Sequence, residues 1–377
     1  MKIRISLRYT ALILIAALAI GLTAALDSTQ ARIPSAEFAK IIKSFSEEEG
    51  YFFSDNLISN EDGYLAILDK MRELGISGKA YIGVGPEQNF TYIARTRPSI
   101  AFLIDIRRQA MIQHLMYKAL FHLSKDRAEF LSRLLSRPLK GKDAPGADST
   151  LRKLMEYFSI TSADFSYYST NLSEVERLIQ SEFEFPLSKE DREALAHITQ
   201  SFYTEGVYIS FKFTSYYRRG GFGMPSMREL IEQVGPDGKP GNFLASAEDY
   251  QFVRDLHMKN KIIPVVGDFA GTKTLRSIAR YLRDHAYKVN VFYTSNVEMY
   301  LFENDAFDDF VRNVKSLPLA DGSIFIRSSN NFRGRGRRFF SGYLMTTRLQ
   351  YISVFLKDYQ DGLYTDYWTL VNSNYIP

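Results

Sequence analysis

Residues 80–90 read Ala-Tyr-Ile-Gly-Val-Gly-Pro-Glu-Gln-Asn-Phe. The apolar start of this stretch predicts a short buried strand, its glycine-proline pair a sharp turn, and residues 87–97 a helix, because proline suits the first helical position. A second apolar run, 100–104, is followed by a helical pattern over 109–123. Strand, helix, strand and helix joined by short turns are typical of a parallel α/β sheet.

The same alternation returns in the second half of the chain. Apolar runs predict three more strands, at 262–266, 289–293 and 323–326. Helical patterns occupy 272–285, a segment from about 297, 307–317 and 347–361. We therefore predict an α/β fold with a Rossmann-like, mostly parallel sheet flanked by helices.

Residues 32–377 are predicted to form a single α/β domain. Its predicted parts are a helical lead-in (35–75), two α/β halves (76–124 and 260–377) and a large insertion between the halves (125–259). The insertion is predicted to be α+β, because its helical patterns are accompanied by an aromatic and β-branched segment, 202–217, that favours a strand or hairpin.

Residues 1–31 have the pattern of an export signal. Lys2, Arg4 and Arg8 precede an uncharged segment, 9–26, and small residues follow it. The segment is only just long enough to span a bilayer, so a cleaved signal peptide and an uncleaved signal anchor both stay open. With either one the positive residues stay in the cytoplasm. The rest of the chain is predicted to be periplasmic or secreted, or anchored to the outer side of the inner membrane through residues 9–26 alone.

Composition excludes several kinds of site. The 377 residues contain no cysteine, which excludes disulfides, thiolate metal centres and cysteine nucleophiles. The five histidines have no metal-binding spacing, so no metal site is predicted, and His-Glu-x-x-His and Gly-x-Ser-x-Gly motifs are absent. A net charge of +4 does not by itself indicate a nucleic-acid partner.

Glycines and polar residues follow four of the predicted strands. In a parallel sheet, ligands bind beyond the carboxyl ends of the strands, where the crossover direction changes. We expect these segments to converge in one site. The candidate residues are Gly83, Gly85, Glu87, Gln88, Asn89 and Asp105 for a cofactor, Gly267, Gly271, Lys273, Ser295 and Asn296 for a substrate or anion, and Asp268 for catalysis.

Each candidate also has a structural explanation. The glycine turn offers free helical N–H groups to an anion, yet it also suits plain strand-to-helix geometry. Asp105 follows Gly85 at about the spacing of a ribose-binding acid. It could equally form an ion pair with Arg107 or Arg108. Asp268 could act in catalysis or cap the helix that follows it.

These motifs resemble those of the class I S-adenosylmethionine methyltransferases. By that resemblance, Gly83 and Gly85 correspond to the glycine loop, Asp105 to the ribose-binding acid, and Asp268 to the residue near the substrate. The resemblance implies S-adenosylmethionine as a cofactor. The stretches at 83–90, 104–108 and 265–271 are also similar to those of an uncharacterised exported bacterial family.

Two further segments could hold an anion. Residues 267–274, Gly-Asp-Phe-Ala-Gly-Thr-Lys-Thr, resemble a phosphate loop that is one residue short, and an ordinary anion nest fits them better. An arginine run without acids lies among asparagines and glycines and is predicted to be a loop, either solvated or gripping an anion. Its members are Arg327, Arg333, Arg335, Arg337 and Arg338.

Two functions are consistent with these patterns. The first is an exported binding or interaction protein that keeps a methyltransferase-like frame without its cofactor and takes a small molecule or a protein as partner. The second is a methyltransferase in which Asp105 holds the ribose and Asp268 orients or deprotonates an unknown acceptor. The export segment favours the first, because S-adenosylmethionine is made in the cytoplasm.

We expect residues 1–40, fused to a reporter that is active only outside the cytoplasm, to give reporter activity. The positive head and the uncharged segment 9–26 are the reason for this expectation. Reporter activity is measured beside a matched fusion in which Leu14 and Leu18 are replaced by Lys. Equal signals from the two fusions, or signal from a cytoplasmic reporter alone, contradict the prediction.

Overall fold

The computed structural model describes residues 31–212, 224–330 and 344–377, and only the backbone of 332–333 and 337–338. Its strands, in chain order, are β1 (Ala80–Val84), β2 (Ile100–Asp105), β3 (Ile262–Val266), β4 (Val289–Ser295), β5 (Leu319–Asn330), β6 (Phe332–Arg333), β7 (Arg337–Arg338) and β8 (Met345–Tyr351). Six of them form one sheet in the order β3-β2-β1-β4-β5-β8, and β6 pairs with β7 separately.

The first five strands of the six-stranded sheet run parallel, and β8 joins β5 in the antiparallel direction. The chain builds outward from β1, first through β2 to β3 and then through β4 to β5. The crossover direction therefore changes between β1 and β4, and all five parallel strands present their carboxyl ends at one edge. The predicted α/β fold with a mostly parallel sheet is confirmed.

Helices cover the sheet and extend beyond it. They are α1 (Ser35–Phe45), α2 (Leu68–Glu73), α3 (Gln88–Thr96), α4 (Arg108–Leu123), α5 (Arg127–Leu134), α6 (Leu151–Ile160), α7 (Phe165–Arg177), α8 (Lys189–Glu205), α9 (Met227–Glu232), α10 (Ala247–Met258), α11 (Thr274–Asp284), α12 (Val297–Glu303), α13 (Phe307–Ser316), α14 (Ile352–Gln360) and α15 (Tyr367–Asn372). Every residue of β2 and β3 is buried, so both faces of these strands are covered, as their continuous apolar runs predict.

The described part of the insertion contains helices and two isolated antiparallel bridges, Ser210–Ser226 and Val234–Pro240, and the strand or hairpin predicted at 202–217 is wrong for its first residues. Residues 202–205 end helix α8 instead of starting a strand, since Phe202 is buried on the same face as Leu195 and Ile198. A capping box at Ser188 starts this helix, and Gly206, with φ of +58°, ends it. Its aromatic residues are thus explained by core packing. Residues 213–217 lie outside the described residues.

The predicted helix at 347–361 is in fact a strand followed by a shorter helix. Strand β8 pairs with β5 over seven register positions, from Ile324–Tyr351 to Asn330–Met345. This pairing holds residues 345–351 extended, and α14 begins only at Ile352. Strand preference depends on the partner across the ladder, and the local pattern does not contain that partner.

Arg327 lies in strand β5 and not in a loop. Its guanidinium is buried and its Nε donates to Glu298 Oε1 at 2.8 Å, while Thr294 Oγ1 donates to the same oxygen at 2.8 Å. The rings of Phe325 and Phe355 lie 4.2 and 5.1 Å from the guanidinium carbon. Arg327 is therefore a structural cation. The side chains of the other four arginines of the run lie outside the described residues.

The structure tests the predicted helical lead-in but not the predicted export segment. Helices α1 and α2 lie in the predicted helical lead-in, but residues 46–67 between them are not helical, and residues 62–67 form turns before α2 begins at Leu68. Residues 1–30 lie outside the description, so the export signal stays a prediction. Within the described ranges, none of the helices is both long and apolar enough to cross a bilayer.

We expect Arg327→Met to lower the free energy of unfolding by about 3–5 kcal/mol, because it leaves the buried Glu298 carboxylate without its cation. Arg348→Met is the matched control. Arg348 pairs with Arg327 in register, but it is partly exposed, and among the described residues its guanidinium donates to Ser329 Oγ at 2.7 Å and lies 5.5 Å from the Tyr375 ring centre. Urea unfolding of both variants measures the difference, and equal losses contradict the structural role of Arg327.

Candidate functional site

A cleft of about 250 Å³ opens at the carboxyl edge of the sheet, where the crossover direction changes. Its walls come from the ends of β1, β2, β3 and β4, from residues 51–61 and from α12. Six of the predicted site residues line it: Gly85, Asp105, Gly267, Asp268, Ser295 and Asn296. The expected convergence of the strand-end segments is therefore observed. Gly83, Glu87, Gln88, Asn89, Gly271 and Lys273 are not among the lining residues.

The loop after β1 is held by its own side chains. Gly85 has φ of +81°, a conformation that glycine adopts without strain. Asn89 Nδ2 donates to the carbonyl oxygens of Val84, Gly85 and Pro86 at 2.8–3.0 Å, and Asn89 Oδ1 accepts from Tyr81 Oη at 2.9 Å. Every polar atom of the Asn89 amide is thus engaged within the loop.

The two glycines of this loop serve the same local packing. A Cβ on Gly83 would overlap the Asn89 amide, so this glycine makes room for that side chain. His114 Nε2 lies 2.9 Å from the Gly85 oxygen, and burial lowers the pKa of His114 to about 4. A neutral imidazole therefore donates to this carbonyl. These contacts give the loop a structural explanation that needs no cofactor.

Glu87 and Gln88 lie beneath the loop. Glu87 Oε1 accepts from the Ser59 N–H at 3.3 Å, and burial raises the pKa of Glu87 to about 7. Gln88 Nε2 lies 2.8 Å from Glu61 Oε2 and 3.2 Å from Tyr293 Oη. Both side chains connect the loop to residues 59–61 and do not face the cleft.

Asp105 forms an ion pair with Arg107 at the end of β2, which is the structural explanation offered above besides ribose binding. Its Oδ1 accepts from the Arg107 N–H at 3.0 Å and from Nε at 2.9 Å, and its Oδ2 accepts from Nη2 at 2.8 Å. Arg107 Nη1 also donates to the Ser54 carbonyl at 3.1 Å. Arg108 is not part of this pair, because it binds Asp191 at 2.6 and 2.8 Å.

The predicted anion nest is filled by a carboxylate of the chain itself. The backbone N–H groups of Asp268, Lys273 and Thr274 lie 3.1, 2.5 and 2.9 Å from the Glu47 oxygens. A Cβ on Gly271 would overlap that carboxylate, so this glycine permits its close approach. The Lys273 side chain is exposed, and its Nζ donates to the Ser46 carbonyl. Gly271 and Lys273 therefore belong to an internal anion site.

Asp268 is the predicted catalytic residue, and it does line the cleft. Its Oδ1 accepts from the Ala270 N–H at 2.8 Å, which is a local turn contact. Asp268 does not cap the helix that follows, because α11 begins only at Thr274 and Glu47 accepts from the Lys273 and Thr274 N–H groups. The Asp268 side chain is partly exposed, and among the described residues it forms no ion pair. Asp268 is thus the cleft carboxylate that is most open to a ligand.

Glu61 is the central site residue that sequence reasoning missed. Its side chain is 1% exposed and lines the cleft between β1 and β4. Oε1 accepts from Tyr293 Oη at 2.8 Å and from Ser295 Oγ, and Oε2 accepts from Gln88 Nε2 and Ser328 Oγ. The local pattern around residue 61 indicates only the start of a helix, so no sequence signal marks a carboxylate whose donors lie up to 267 residues away.

Ser295 ends β4 in a left-handed conformation with φ of +55°. A residue other than glycine pays energy for this conformation, and such strain is often found at ligand sites. The hydrogen bond from Ser295 Oγ to Glu61 helps to hold it, and Oγ also lies 3.3 Å from Asn296 Oδ1. The strand end is thereby fixed at the floor of the cleft.

An aromatic cluster of Phe52, Phe53 and Tyr300 forms another part of the wall. The ring centres of Phe52 and Phe53 are 4.4 Å apart, and Tyr300 lies 5.7 and 6.2 Å from them. Burial raises the pKa of Tyr300 to about 12, so its hydroxyl stays protonated. The cleft thus combines an aromatic wall with carboxylates and amides.

The family model of a domain of unknown function (DUF7790) matches residues 57–144 and 147–366. The matched ranges contain the whole six-stranded sheet and the cleft residues Glu61, Asp105, Asp268 and Ser295. Glu47, Phe52 and Phe53 lie before the first matched residue. No curated protein matches the chain.

We expect Glu47→Ala to lower the free energy of unfolding by about 1.5–3 kcal/mol, because three N–H groups lose a charged acceptor. The vacated nest should then bind sulfate, so sulfate should raise the midpoint of thermal unfolding more in this variant than in the parent chain at equal ionic strength. Glu48→Ala, at an exposed neighbour, is the control. The nest assignment is wrong if sulfate stabilises all three proteins equally.

Proposed function

This chain belongs to the DUF7790 family, a domain of unknown function, and we propose that it is a binding protein that takes a small organic ligand in the strand-end cleft without a nucleotide-type cofactor. The observation that carries the proposal is a cleft at the crossover switch whose neighbouring anion-binding features are filled by the chain itself. Ligand sites of open α/β sheets lie at this position.

The frame itself supports a distant kinship with nucleotide-binding proteins. The strand order 3-2-1-4-5 is that of dinucleotide-binding sheets, and the cleft lies at the same switch point. A Rossmann-like core with a methyltransferase-like ancestry is therefore part of the proposal. The export segment adds to it, since nucleotide-derived cofactors are made in the cytoplasm.

S-adenosylmethionine does not fit the residues present. An ionised carboxylate has about four acceptor positions. Arg107 fills three on Asp105, so one ribose hydroxyl could be accepted but not a pair. The amide of Asn89 is engaged within its loop, and Glu47 occupies the nearby nest. We derive no methyl transfer for this chain, and Asp268 is assigned to binding in the proposal.

The size and lining of the cleft suit a small molecule. Its volume of about 250 Å³ is close to the lower end of the range for small-molecule sites, about 300–1,000 Å³. Aromatic rings provide apolar contact area, and Asn56, Asn60 and Asn296 provide polar groups that can fix an orientation. We therefore propose that the cleft binds a compact ligand with an aromatic or apolar body.

We expect calorimetry to detect indole binding with a Kd on the order of 1 mM and no binding of S-adenosylhomocysteine at that strength. Asn304→Trp, at an exposed cleft residue, should abolish the indole signal by filling the mouth of the cleft. Asn372→Trp, outside the cleft, is a close control. Asn304 and Asn372 both lie at the C-terminal end of a helix, and the side-chain amide of each donates to the carbonyl four residues earlier at 2.8 Å.

Two results contradict the proposal. Indole binding that is absent, or that survives Asn304→Trp, removes the cleft as the binding site. Micromolar binding of S-adenosylhomocysteine that Asp105→Ala weakens about tenfold or more would instead establish the cofactor site, since hydrogen bonds to a charged group contribute about 1.5–3 kcal/mol.

A further inference from the structure

Among the residues that the structure describes, four charged side chains line the cleft, and their charges do not balance. They are Glu61, Asp105, Arg107 and Asp268. Arg107 is committed to Asp105 by the hydrogen bonds to both of its carboxylate oxygens. Within the described parts of the chain, neither Glu61 nor Asp268 forms an ion pair. The described wall of the cleft therefore has two carboxylates in excess when its acids are ionised.

Glu61 contributes charge without offering a place for contact. Its four donors are a phenol, two serine hydroxyls and an amide, and all of them are neutral. A carboxylate has about four acceptor positions, so these donors leave none for a ligand. Neutral donors satisfy the oxygens but leave the negative charge in place. A charge that is removed from water acts more strongly on its surroundings than one at the surface.

The Tyr293 hydroxyl donates to Glu61 and lies beside this negative charge. Burial raises the pKa of Tyr293, and the charge of Glu61 raises it further, so the phenol remains a donor in the cleft wall. The Glu298–Arg327 pair behind β4 is neutral overall and provides no spare cation. Direct contact with a ligand falls to Asp268, where the Ala270 N–H takes one acceptor position and the others are free to bind a donor.

The aromatic cluster of Phe52, Phe53 and Tyr300 favours the same kind of ligand. Aromatic faces attract cations within about 6 Å of the ring centre. The chain already uses this attraction, because the Arg107 guanidinium lies 5.4 Å from the Phe52 ring centre. In the described wall, an anionic ligand finds no available donor of this kind, because Arg107 is paired with Asp105 and Glu47 already accepts from the N–H groups of the nest beside Asp268.

We propose that the cleft binds a small organic cation, an amine with an aromatic or apolar body. Asp268 accepts from its ammonium group, Glu61 supplies the attracting charge, and the aromatic cluster contacts its apolar part. This inference rests on the proposed binding function and adds the charge class of the ligand.

Three probes of matched shape test the inference: 2-phenylethylamine, 2-phenylethanol and phenylacetate, each titrated into the full chain by calorimetry. The amine should bind at least about tenfold more tightly than the alcohol, and phenylacetate should not bind. Asp268→Asn should weaken the amine about tenfold and leave the alcohol unchanged. Asp284→Asn, an equal change of charge at the exposed far end of α11, should alter neither.

A second variant addresses the charge of Glu61 separately. Glu61→Gln keeps the shape of the side chain and should also reduce the preference for the amine over the alcohol. If this buried variant does not fold, Asp268→Asn alone carries the test, because its side chain is partly exposed.

The outcomes distinguish this inference from the function on which it rests. Equal affinity for the amine and the alcohol, with both lost in Asn304→Trp, overturns the cationic ligand but leaves the binding cleft standing. Binding of none of the three probes, together with no binding of indole, overturns the binding function itself. Equal weakening by Asp268→Asn and Asp284→Asn overturns the assignment of Asp268 as the contact.

Discussion

The carboxylate of Glu61 imposes the constraint on which the centre of the molecule depends. A buried charge is costly unless donors satisfy both of its oxygens. Here the donors come from α3, β4 and β5, through Gln88, Tyr293, Ser295 and Ser328. Satisfying this one side chain therefore fixes the segment before α2 against helix α3 and two strands of the sheet. It also places a negative charge at the switch between β1 and β4, where an open sheet offers its ligand site.

Around this point the chain fills binding features that other α/β proteins use for ligands. Arg107 neutralises the acid at the end of β2, and Glu47 satisfies the N–H groups at the start of α11. Asn89 takes up the carbonyls of the glycine loop. Each contact stabilises a strand-to-helix turn internally, so the turns keep their shape without a bound cofactor. Among the described residues, what remains is a cleft with aromatic walls and two carboxylates, Glu61 and Asp268, that form no ion pair.

Local patterns predicted most of the frame, and half of the predicted site residues line the cleft. The apolar runs at 80–84, 100–104 and 262–266 are strands that are buried on both faces, so their patterns need no knowledge of a partner. Residues 347–351 have a helical pattern and yet are extended, because the ladder with β5 holds them so. Asp105, Asp268 and Ser295 were predicted for the cleft from their places after strands, whereas Glu61 and the aromatic cluster lie in a segment without such a signal.

The sequence by itself determined the order of the five parallel strands along the chain, and with it the edge at which the strand-end residues meet, because a continuous apolar run is a local property. The tertiary structure alone decided the partner of each polar group. Glu47 meets the backbone of residues 268–274 more than 200 positions away, and Ser328 donates to Glu61 across 267 residues. A carboxylate can take any donor that the fold brings within about 3 Å, so its role is set by that proximity and not by its neighbours in the chain.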